Sequence, residues 1–541
     1  MMRLPMPDAA LADWKQKIRR TEKAAFFTAV VVGLMVHLFA FTNKLYNYDE
    51  LCNTPGGWGI GSENNRWFLE FMGRSYASVM GGSYSLPLFN GMISIFFLAV
   101  SAVLVVKMFD VGSVLLSAAI GGFLVSFPSV VCMFFFMFLS IYYAAGIFFS
   151  VLGAYLIVRY PGKLTAYPAA VILLTLSLGT YQAYFPAAVC LLLIAFLMHC
   201  AFGKEKADFK GIVITALRYL ATAGAALALY LILSRVIWNM WNVFGVMGSY
   251  QGIDTMGHIS LQELGDGILR CYRSFVSLCF DNVRDITPVV PAIHCFRIIF
   301  LLLAASVVLF LVASKIKWYR RLLFAAGLLV FPVALFLVYI MAPKASYYAL
   351  MFYPAVFLLV FLAVWTDRFG REIRGYDLVR AGTQWGALFC SVLLLFIYIW
   401  YGNGSYMALE YTKYHDFSYF QTLVTQIKSL EGYDDEMRVV FVGGEVDDET
   451  NAMGSMMHEV FAMGGRAETN VTVLCRAYLI VKYLGFAPEI AGYEETIAWM
   501  DREDVRNMES YPHGGSIRVI DDTIIVKFSD SGEPAPESVQ P

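Results

Sequence analysis

Charged residues are scarce in this sequence. Only 15% of its 541 residues are Asp, Glu, Lys or Arg, and 59% are hydrophobic, whereas soluble domains are about 25% charged and about 45–50% apolar. This composition excludes a soluble protein, a disordered chain and a nucleic-acid-binding protein with a basic face, so no nucleic-acid partner is expected. It is typical of a polytopic α-helical membrane protein.

Motifs for metal binding and for disulfide chemistry are also missing. The nine cysteines are scattered, and no Cys-x-x-Cys or Cys/His spacing occurs. Most cysteines lie in apolar runs, as Cys132, Cys190 and Cys390 do. We interpret them as small buried hydrophobic residues, which argues against a disulfide framework or a zinc site.

The first apolar run, Ala24–Phe41, lacks a following cleavage pattern of small residues, and the preceding segment 1–23 is polar and basic. We therefore predict a first transmembrane helix rather than a cleaved signal peptide. The apolar runs are each close to the ~20 residues that a helix needs to cross a bilayer. Eleven transmembrane helices are predicted, at 24–42, 86–106, 111–130, 132–158, 164–181, 184–202, 212–237, 293–313, 322–342, 347–365 and 382–401.

Acidic residues are absent from all eleven runs. Ion-coupled transporters usually carry ionisable groups within the bilayer, so this absence counts against that class of protein. The deepest ionisable residue is His37, which we interpret as an interior polar group rather than as part of a proton relay.

Positive charge is unevenly distributed between the loops. With residues 1–23 on the inside, the inner segments carry 20 Lys and Arg residues, and the outer segments up to residue 401 carry 7. Because cytoplasmic loops are enriched in Lys and Arg, the N-terminus is predicted to be cytoplasmic and the C-terminus extracytoplasmic.

The transmembrane domain is predicted to cover 24–401, with two long outer loops at 43–85 and 238–292. Both loops contain amphipathic stretches, which either cover the bundle or form the wall of a site at the membrane surface. The remaining 140 residues hold 24 acidic and 10 basic side chains, and short apolar runs in them indicate strands. We predict a small α/β domain at 402–528 and a disordered tail at 529–541.

Two adjacent acids, Asp49 and Glu50, directly follow the first predicted transmembrane helix. A carboxylate beside a membrane surface is poorly solvated, which raises its pKa and suits it to act as a base. The alternative is a solvated pair at a helix end. The acids precede Asn65-Arg66-Trp67 in the same loop and, later in the chain, the run Ser177–Tyr184, which reads Ser-Leu-Gly-Thr-Tyr-Gln-Ala-Tyr.

In this order, the motifs resemble those of the bacterial Gtr type II (GtrII) glucosyltransferase family of the GT-C superfamily, over roughly residues 25–400. That family has an acid pair, then a Gly-Arg-Trp triplet, then a Tyr-Gln pair in a mid-chain span. Here Glu50 replaces an acid that is commonly Asp, and Asn65 replaces the Gly. Neither change removes the carboxylate or the cation.

The resemblance implies a GT-C-like glycosyltransferase of the bacterial plasma (inner) membrane. Such an enzyme moves a hexose, in this family glucose, from a polyprenyl-phosphate donor such as undecaprenyl phosphate to O-antigen or another surface glycan on the outer face, with inversion. Asp49 is then the general base, and Glu50 is its helper or binds the acceptor. No cofactor is certain, and a divalent cation at the acid pair is left open.

Six further side chains are predicted to bind substrate: Arg66, Trp67, Arg74, Tyr181, Gln182 and Lys344. The cations suit the donor phosphate, and a guanidinium group pairs with two oxygens at once. The aromatic and amide side chains suit the sugar or the acceptor. The alternatives are lipid-headgroup contacts for the cations, and helix packing or the interfacial aromatic belt for the other three.

Two other classes of protein fit parts of the pattern. A lipid or polysaccharide flippase needs a polar path through the bundle, and the acid-free spans count against one. A non-catalytic membrane anchor for the acidic C-terminal region does not need eleven spans. Only a glycosyltransferase forms a new glycosidic bond in purified form, so chemistry separates the three classes.

Overall fold

The computed structural model describes most of the chain. The described residues are 6, 8, 16–53, 56–59, 61–203, 208–241, 259–281, 286–287, 289–314, 316–345, 347–372, 377–444 and 471–530. The predicted disordered tail lies outside the described residues from 531 onwards.

Helices dominate the described ranges. In chain order they are α1 (Arg20–Thr42), α2 (Tyr48–Asn53), α3 (Trp67–Met80), α4 (Pro87–Phe109), α5 (Val114–Ser126), α6 (Pro128–Phe135), α7 (Ser140–Arg159), α8 (Ala166–Thr180), α9 (Phe185–Phe202), α10 (Phe209–Trp241), α11 (Leu261–Phe280), α12 (Val290–Ala313), α13 (Trp318–Leu335), α14 (Val338–Met341), α15 (Phe357–Glu372), α16 (Asp377–Lys428), α17 (Arg476–Tyr478), α18 (Tyr493–Met500) and α19 (Glu503–Arg506). Short 3₁₀ turns precede α7, α9 and α15.

Within the described ranges, ten helical segments are long and apolar enough to cross a membrane. They contain α1, α4, the α5–α6 pair, α7, α9, α10, α12, α13, α15 and α16. The 15-residue helix α8 is apolar but shorter. These eleven segments correspond to the eleven predicted spans, and the predicted polytopic helical fold is confirmed.

The sequence predicts that the third span ends at residue 130 and that the fourth begins at residue 132, and the structure places this boundary later. The third spanning segment runs through Val114–Phe135 and the fourth begins at Met137. Pro128 stands at the start of α6 and interrupts the third segment without ending it. The first N–H groups of a helix have no intrahelical partner, so proline at this position costs no hydrogen bond. The segment ends where Phe136 leaves the helical conformation, with φ −103° and ψ 62°.

The last spanning helix, α16, has 52 residues and continues beyond the predicted domain boundary at 402. At about 1.5 Å per residue it is longer than a bilayer is thick. The run Gly402-Asn403-Gly404 does not break it. A Cβ atom on Gly402 would lie 2.5 Å from the Val36 side chain, so this glycine permits close packing of α16 on α1.

The C-terminal unit contains a three-stranded sheet of β1 (Arg438–Val442), β2 (Ile517–Ile520) and β3 (Thr523–Lys527), in the order β1-β3-β2. The β1–β3 pair is parallel, and the β2–β3 pair is antiparallel. Side chains on one sheet face join a buried cluster with the end of α16, and those on the other face pack against α18 and α19. β1 and β2 occupy the apolar runs 438–442 and 517–520 that indicate strands in the sequence, and β3 begins one residue before the third run, 524–528.

Two larger apolar cores organise the molecule. One fills the helical bundle. The second, which we call the junction cluster, joins the C-terminal unit to the segment after α1. Its members include Tyr46, Leu51, Phe420, Leu423, Cys475 and Leu479. The short helix α2 is therefore packed directly on the C-terminal unit.

Candidate active site

The acid pair lies in the first turn of α2, immediately beyond the end of α1. The Asn47 side chain accepts a hydrogen bond from the backbone N–H of Glu50 at 2.9 Å and so stabilises the start of this helix. Consecutive residues of a helix point in different directions, and the two carboxylates accordingly have different surroundings.

The Glu50 side chain is 1% exposed and points into the protein. Its carboxylate accepts hydrogen bonds from Lys44 and Ser85 and from the backbone N–H of Phe138, the last at 3.2 Å. Such a paired, hydrogen-bonded carboxylate fits a structural role, because removing it leaves a cation and donors without their partner.

Asp49 is half-buried and lines a cavity of about 100 Å³. The cavity lies where the segment after α1, the end of α8 and the turn after α14 meet. Its lining residues are Tyr48, Asp49, Asn53, Gly59, Arg66, Phe136, Phe138, Leu139, Tyr143, Tyr181, Tyr348, Leu350 and Met351. The cavity therefore brings together one acid, one cation and several phenols.

Arg66 reaches this cavity because of the backbone just before α3. Asn65 adopts the left-handed conformation, with φ 58° and ψ 19°, which Asn and Gly tolerate better than other residues do. This explains physically why Asn can replace the Gly of the resembled triplet. The Arg66 guanidinium lies over the Tyr181 ring, with Cζ 4.7 Å from the ring centroid.

The electrostatics of Asp49 suit a base that acts near neutral pH. Burial raises the pKa of Asp49 from 3.8 to about 6, the positive charge of Arg66 opposes this rise, and the charge of Glu50 adds to it. At pH 7 the carboxylate is then mainly ionised yet basic enough to accept a proton.

The two motifs that lie far apart in the sequence interlock around the cavity. Trp67 is buried, and a Cβ atom on Gly179 would lie 2.8 Å from atoms of the Trp67 ring. The ring therefore fills the space beside this glycine. The Gln182 amide donates hydrogen bonds to the Asn64 carbonyl at 2.8 Å and to the Tyr230 hydroxyl at 2.9 Å. Trp67 and Gln182 therefore fix the position of Arg66 relative to Tyr181, and neither lines the cavity.

The other two predicted cations lie outside the cavity lining. Arg74 pairs with Glu70, with Nη2 to Oε1 at 2.7 Å, and its guanidinium lies over the Trp58 ring. Lys344 is 60% exposed and lies 3.5 Å from a carboxylate oxygen of Glu263 in α11.

Several lining residues were not singled out by sequence reasoning. Tyr348 lies four residues after the predicted Lys344, and the Tyr348 phenol lines the cavity whereas the lysine does not. Tyr143 comes from α7 and lies 5.0 Å from Tyr181, measured between ring centroids. A Tyr-Tyr pair inside an otherwise apolar span was the available signal for it.

Metal-ligating side chains do not cluster in the part of the chain that the structure describes, where no group of three or more His, Cys, Asp or Glu residues could hold an ion. Asp49 faces the cavity, whereas the Glu50 carboxylate faces Lys44 and Ser85.

The family model described as "Glucosyl transferase GtrII" matches residues 38–359, which is more than half of the chain. The chain belongs to the GtrII family. This membership supports a multi-pass membrane glycosyltransferase over the flippase and the anchor. The match includes the acid pair, Arg66 and Tyr181, but not the C-terminal unit.

Solved structures that the chain matches include those of the archaeal oligosaccharyltransferase of Archaeoglobus fulgidus. Its complex with zinc and sulfate is 14% identical, with 80% of this chain and 61% of that chain covered and a TM-score of 0.35. Its complex with an inhibitory peptide and a dolichol-phosphate is 14% identical, with 82% and 60% covered and a TM-score of 0.28. This chain thus spans less than two thirds of that protein's length. The TM-scores are low, and the family assignment depends on the family model alone. No curated protein matches the chain.

Proposed function

We propose that this GtrII glycosyltransferase moves a hexose from a polyprenyl-phosphate donor to a hydroxyl group of a cell-surface glycan, at the outer face of the bacterial plasma membrane. Glucose is the sugar that the family description names. The excess of Lys and Arg in the segments on the N-terminal side of the membrane supports this orientation.

Asp49 is the general base in this proposal. Its carboxylate takes the proton of the acceptor hydroxyl while the acceptor oxygen bonds to the anomeric carbon of the sugar. The bond from that carbon to the phosphate oxygen breaks, and the polyprenyl phosphate leaves from the opposite face. The configuration at the anomeric carbon is therefore inverted.

Arg66 supplies the positive charge that the leaving phosphate needs. Among the three predicted cations, Arg66 is the one that lines the cavity with Asp49. Tyr181 and the phenols beside it offer hydroxyl groups and ring faces to the sugar. Glu50, Trp67 and Gln182 act as positioning residues, since their contacts are with the protein itself.

A single observation carries the proposal. A half-buried carboxylate with a pKa raised to about 6 shares one small cavity with a guanidinium group, and both groups lie within the residues that the glucosyltransferase family model matches. This pair best supports a reaction in which the carboxylate deprotonates the acceptor and the guanidinium group stabilises the leaving phosphate.

Asp49→Asn tests the base directly. The amide keeps the shape of the side chain but cannot take a proton, so sugar transfer by the purified protein should fall by about two to four powers of ten. Transfer is measured with polyprenyl-phosphate glucose and isolated surface glycan, and donor binding and the thermal unfolding midpoint should change little.

Glu50→Gln is the matched control, because it makes the same chemical change one residue away. We expect it to lower the unfolding midpoint, since a buried ion pair is lost, and to keep most of the transfer rate per folded molecule. Transfer at the parental rate in the Asp49→Asn protein would remove the base from the mechanism. A folded but inactive Glu50→Gln protein beside a mildly affected Asp49→Asn protein would exchange the two roles.

A further inference from the structure

Two cysteine thiols meet where α2 packs on the C-terminal unit. Cys52 lies three residues after Asp49 in the same helix, and Cys475 immediately precedes α17. Each thiol is the hydrogen-bond partner of the other, and the Cys52 sulfur also lies 3.8 Å from the Leu474 carbonyl oxygen. Both residues carry thiols in the structure.

The surrounding packing keeps the two sulfurs together. Tyr46 and Leu51, on the α2 side, are fully buried in the junction cluster with Leu479 and Ile480 of the C-terminal unit. Because these side chains are close-packed, the two elements hold the thiols as hydrogen-bond partners.

The pair combines an accessible thiol with an activated one. Cys52 is half-buried, whereas Cys475 is fully buried. The Cys475 sulfur accepts a hydrogen bond from the Thr472 backbone N–H at 3.1 Å. The hydrogen bond with Cys52, this N–H and the charge of Arg476 lower the pKa of Cys475, whereas the same hydrogen bond and burial raise the pKa of Cys52. A thiol with a lowered pKa beside an accessible thiol is the arrangement of a pair that forms a disulfide readily.

We propose that Cys52 and Cys475 form a disulfide bond that fastens the helix carrying Asp49 to the C-terminal unit. The oxidant is a low-molecular-weight or protein disulfide. Cys52, the accessible thiol, loses its proton to solvent as it attacks this disulfide and releases one thiol. Cys475, as a thiolate, then attacks the mixed disulfide at the Cys52 sulfur and releases the second thiol. Two protein thiols and one external disulfide thus become one protein disulfide and two external thiols.

The link matters for catalysis because α2 is short. With six residues it has little stability of its own, and its position depends on what it packs against. A covalent link three residues from Asp49 restricts where that carboxylate can lie relative to Arg66. This consequence, but not the link itself, rests on the proposed function.

The chain offers an internal control. Cys295 and Cys390 also form a hydrogen-bonded pair, but both are buried in spanning helices, α12 and α16. An aqueous disulfide does not reach them, so this second pair should stay reduced under the conditions that oxidise the first.

The test uses the purified full-length protein in detergent, treated with oxidised glutathione, blocked with a thiol reagent and digested without reduction. Mass spectrometry should find one peptide pair linked through Cys52 and Cys475. The pair should be absent after dithiothreitol and in the Cys52→Ser protein, with Cys295 and Cys390 recovered as blocked thiols. Recovery of Cys52 and Cys475 as separate blocked thiols would overturn the link.

Sugar transfer is then compared before and after dithiothreitol. We expect reduction to slow transfer several-fold in the parent protein and to leave the Cys52→Ser protein unchanged. Equal rates of the linked and reduced parent protein would overturn the positioning role. The Asp49→Asn protein should form the link normally and transfer sugar about two to four powers of ten more slowly than the parent protein. A linked parent protein without any transfer activity would count against the proposed function and not against the link.

Discussion

At the residue scale, Asp49 and Arg66 form a charge pair in which each affects what the other can do. Burial makes Asp49 a stronger base by raising its pKa, and Arg66 limits that rise by favouring the ionised form. Arg66 thereby sets the pH at which the base becomes available, in addition to its proposed role at the phosphate.

The pH dependence of transfer should report this pair. Because Asp49 must be ionised, kcat/KM should rise with pH through about 6 and level off above it. Arg66→Gln removes the charge that favours ionisation, so the acid limb should move to higher pH. The loss of phosphate stabilisation should also lower the plateau by about two to three powers of ten. The measurement is kcat/KM between pH 5 and pH 9.

Two variants separate these effects. Arg66→Lys keeps the charge and should leave the acid limb near its parental position, while the plateau recovers only in part because the two-pronged geometry is lost. Arg74→Gln, on the helix that Arg66 precedes, changes a cation that pairs with Glu70 and should leave the acid limb in place. An unmoved limb in the Arg66→Gln protein would show that another group controls the profile.

At the element scale, the start of α3 and the end of α8 form one packed unit. The Trp67 ring lies where a side chain on Gly179 would be, and the Gln182 amide bonds to the Asn64 carbonyl. Residues that are more than a hundred positions apart in the sequence thus fix the two walls of the cavity. We expect the geometry of Arg66 and Tyr181 to depend on this contact.

Gly179→Val tests this contact. The added side chain overlaps the Trp67 ring, and overpacking of a well-packed site costs about 1–3 kcal/mol. The unfolding midpoint should fall, and transfer per folded molecule should fall with it because Arg66 moves. Adding Trp67→Phe, which makes room, should restore part of both losses.

Gly224→Ala serves as the control, because a Cβ atom at Gly224 meets no atom within 4 Å. It should be neutral or slightly stabilising, since Ala favours a helix over Gly. If Gly179→Val were as mild as Gly224→Ala, the packing of Trp67 on Gly179 would not position the site.

At the scale of the whole molecule, the proposed side of the active site depends on the membrane orientation. A reporter that is active only in the cytoplasm should be silent after residue 541 and active at Lys206. Its level of activity at the two fusion points is the measurement. The reverse pair of activities would place Asp49 on the cytoplasmic side and contradict a donor presented at the outer face.

Much of the architecture follows from the sequence by itself. A membrane span is a local property, because about 20 consecutive apolar residues suffice to cross hydrocarbon whatever their neighbours are, and ten helices with an eleventh, shorter one lie where the apolar runs do. The three strands of the C-terminal unit follow for the same reason, since each is a short apolar run bounded by turn residues. The order of the motifs in the sequence also predicted the family, and the family match confirms that assignment.

Only the tertiary structure decided which of those residues meet. The contacts of the two neighbouring acids could not be read from the sequence, and the fold buries Glu50 against Lys44 while Asp49 lines the cavity. The Cys52–Cys475 pair has no local signature, because it arises from a contact between distant elements. Local pattern determines where helices form, whereas close packing between helices determines which side chains share a cavity.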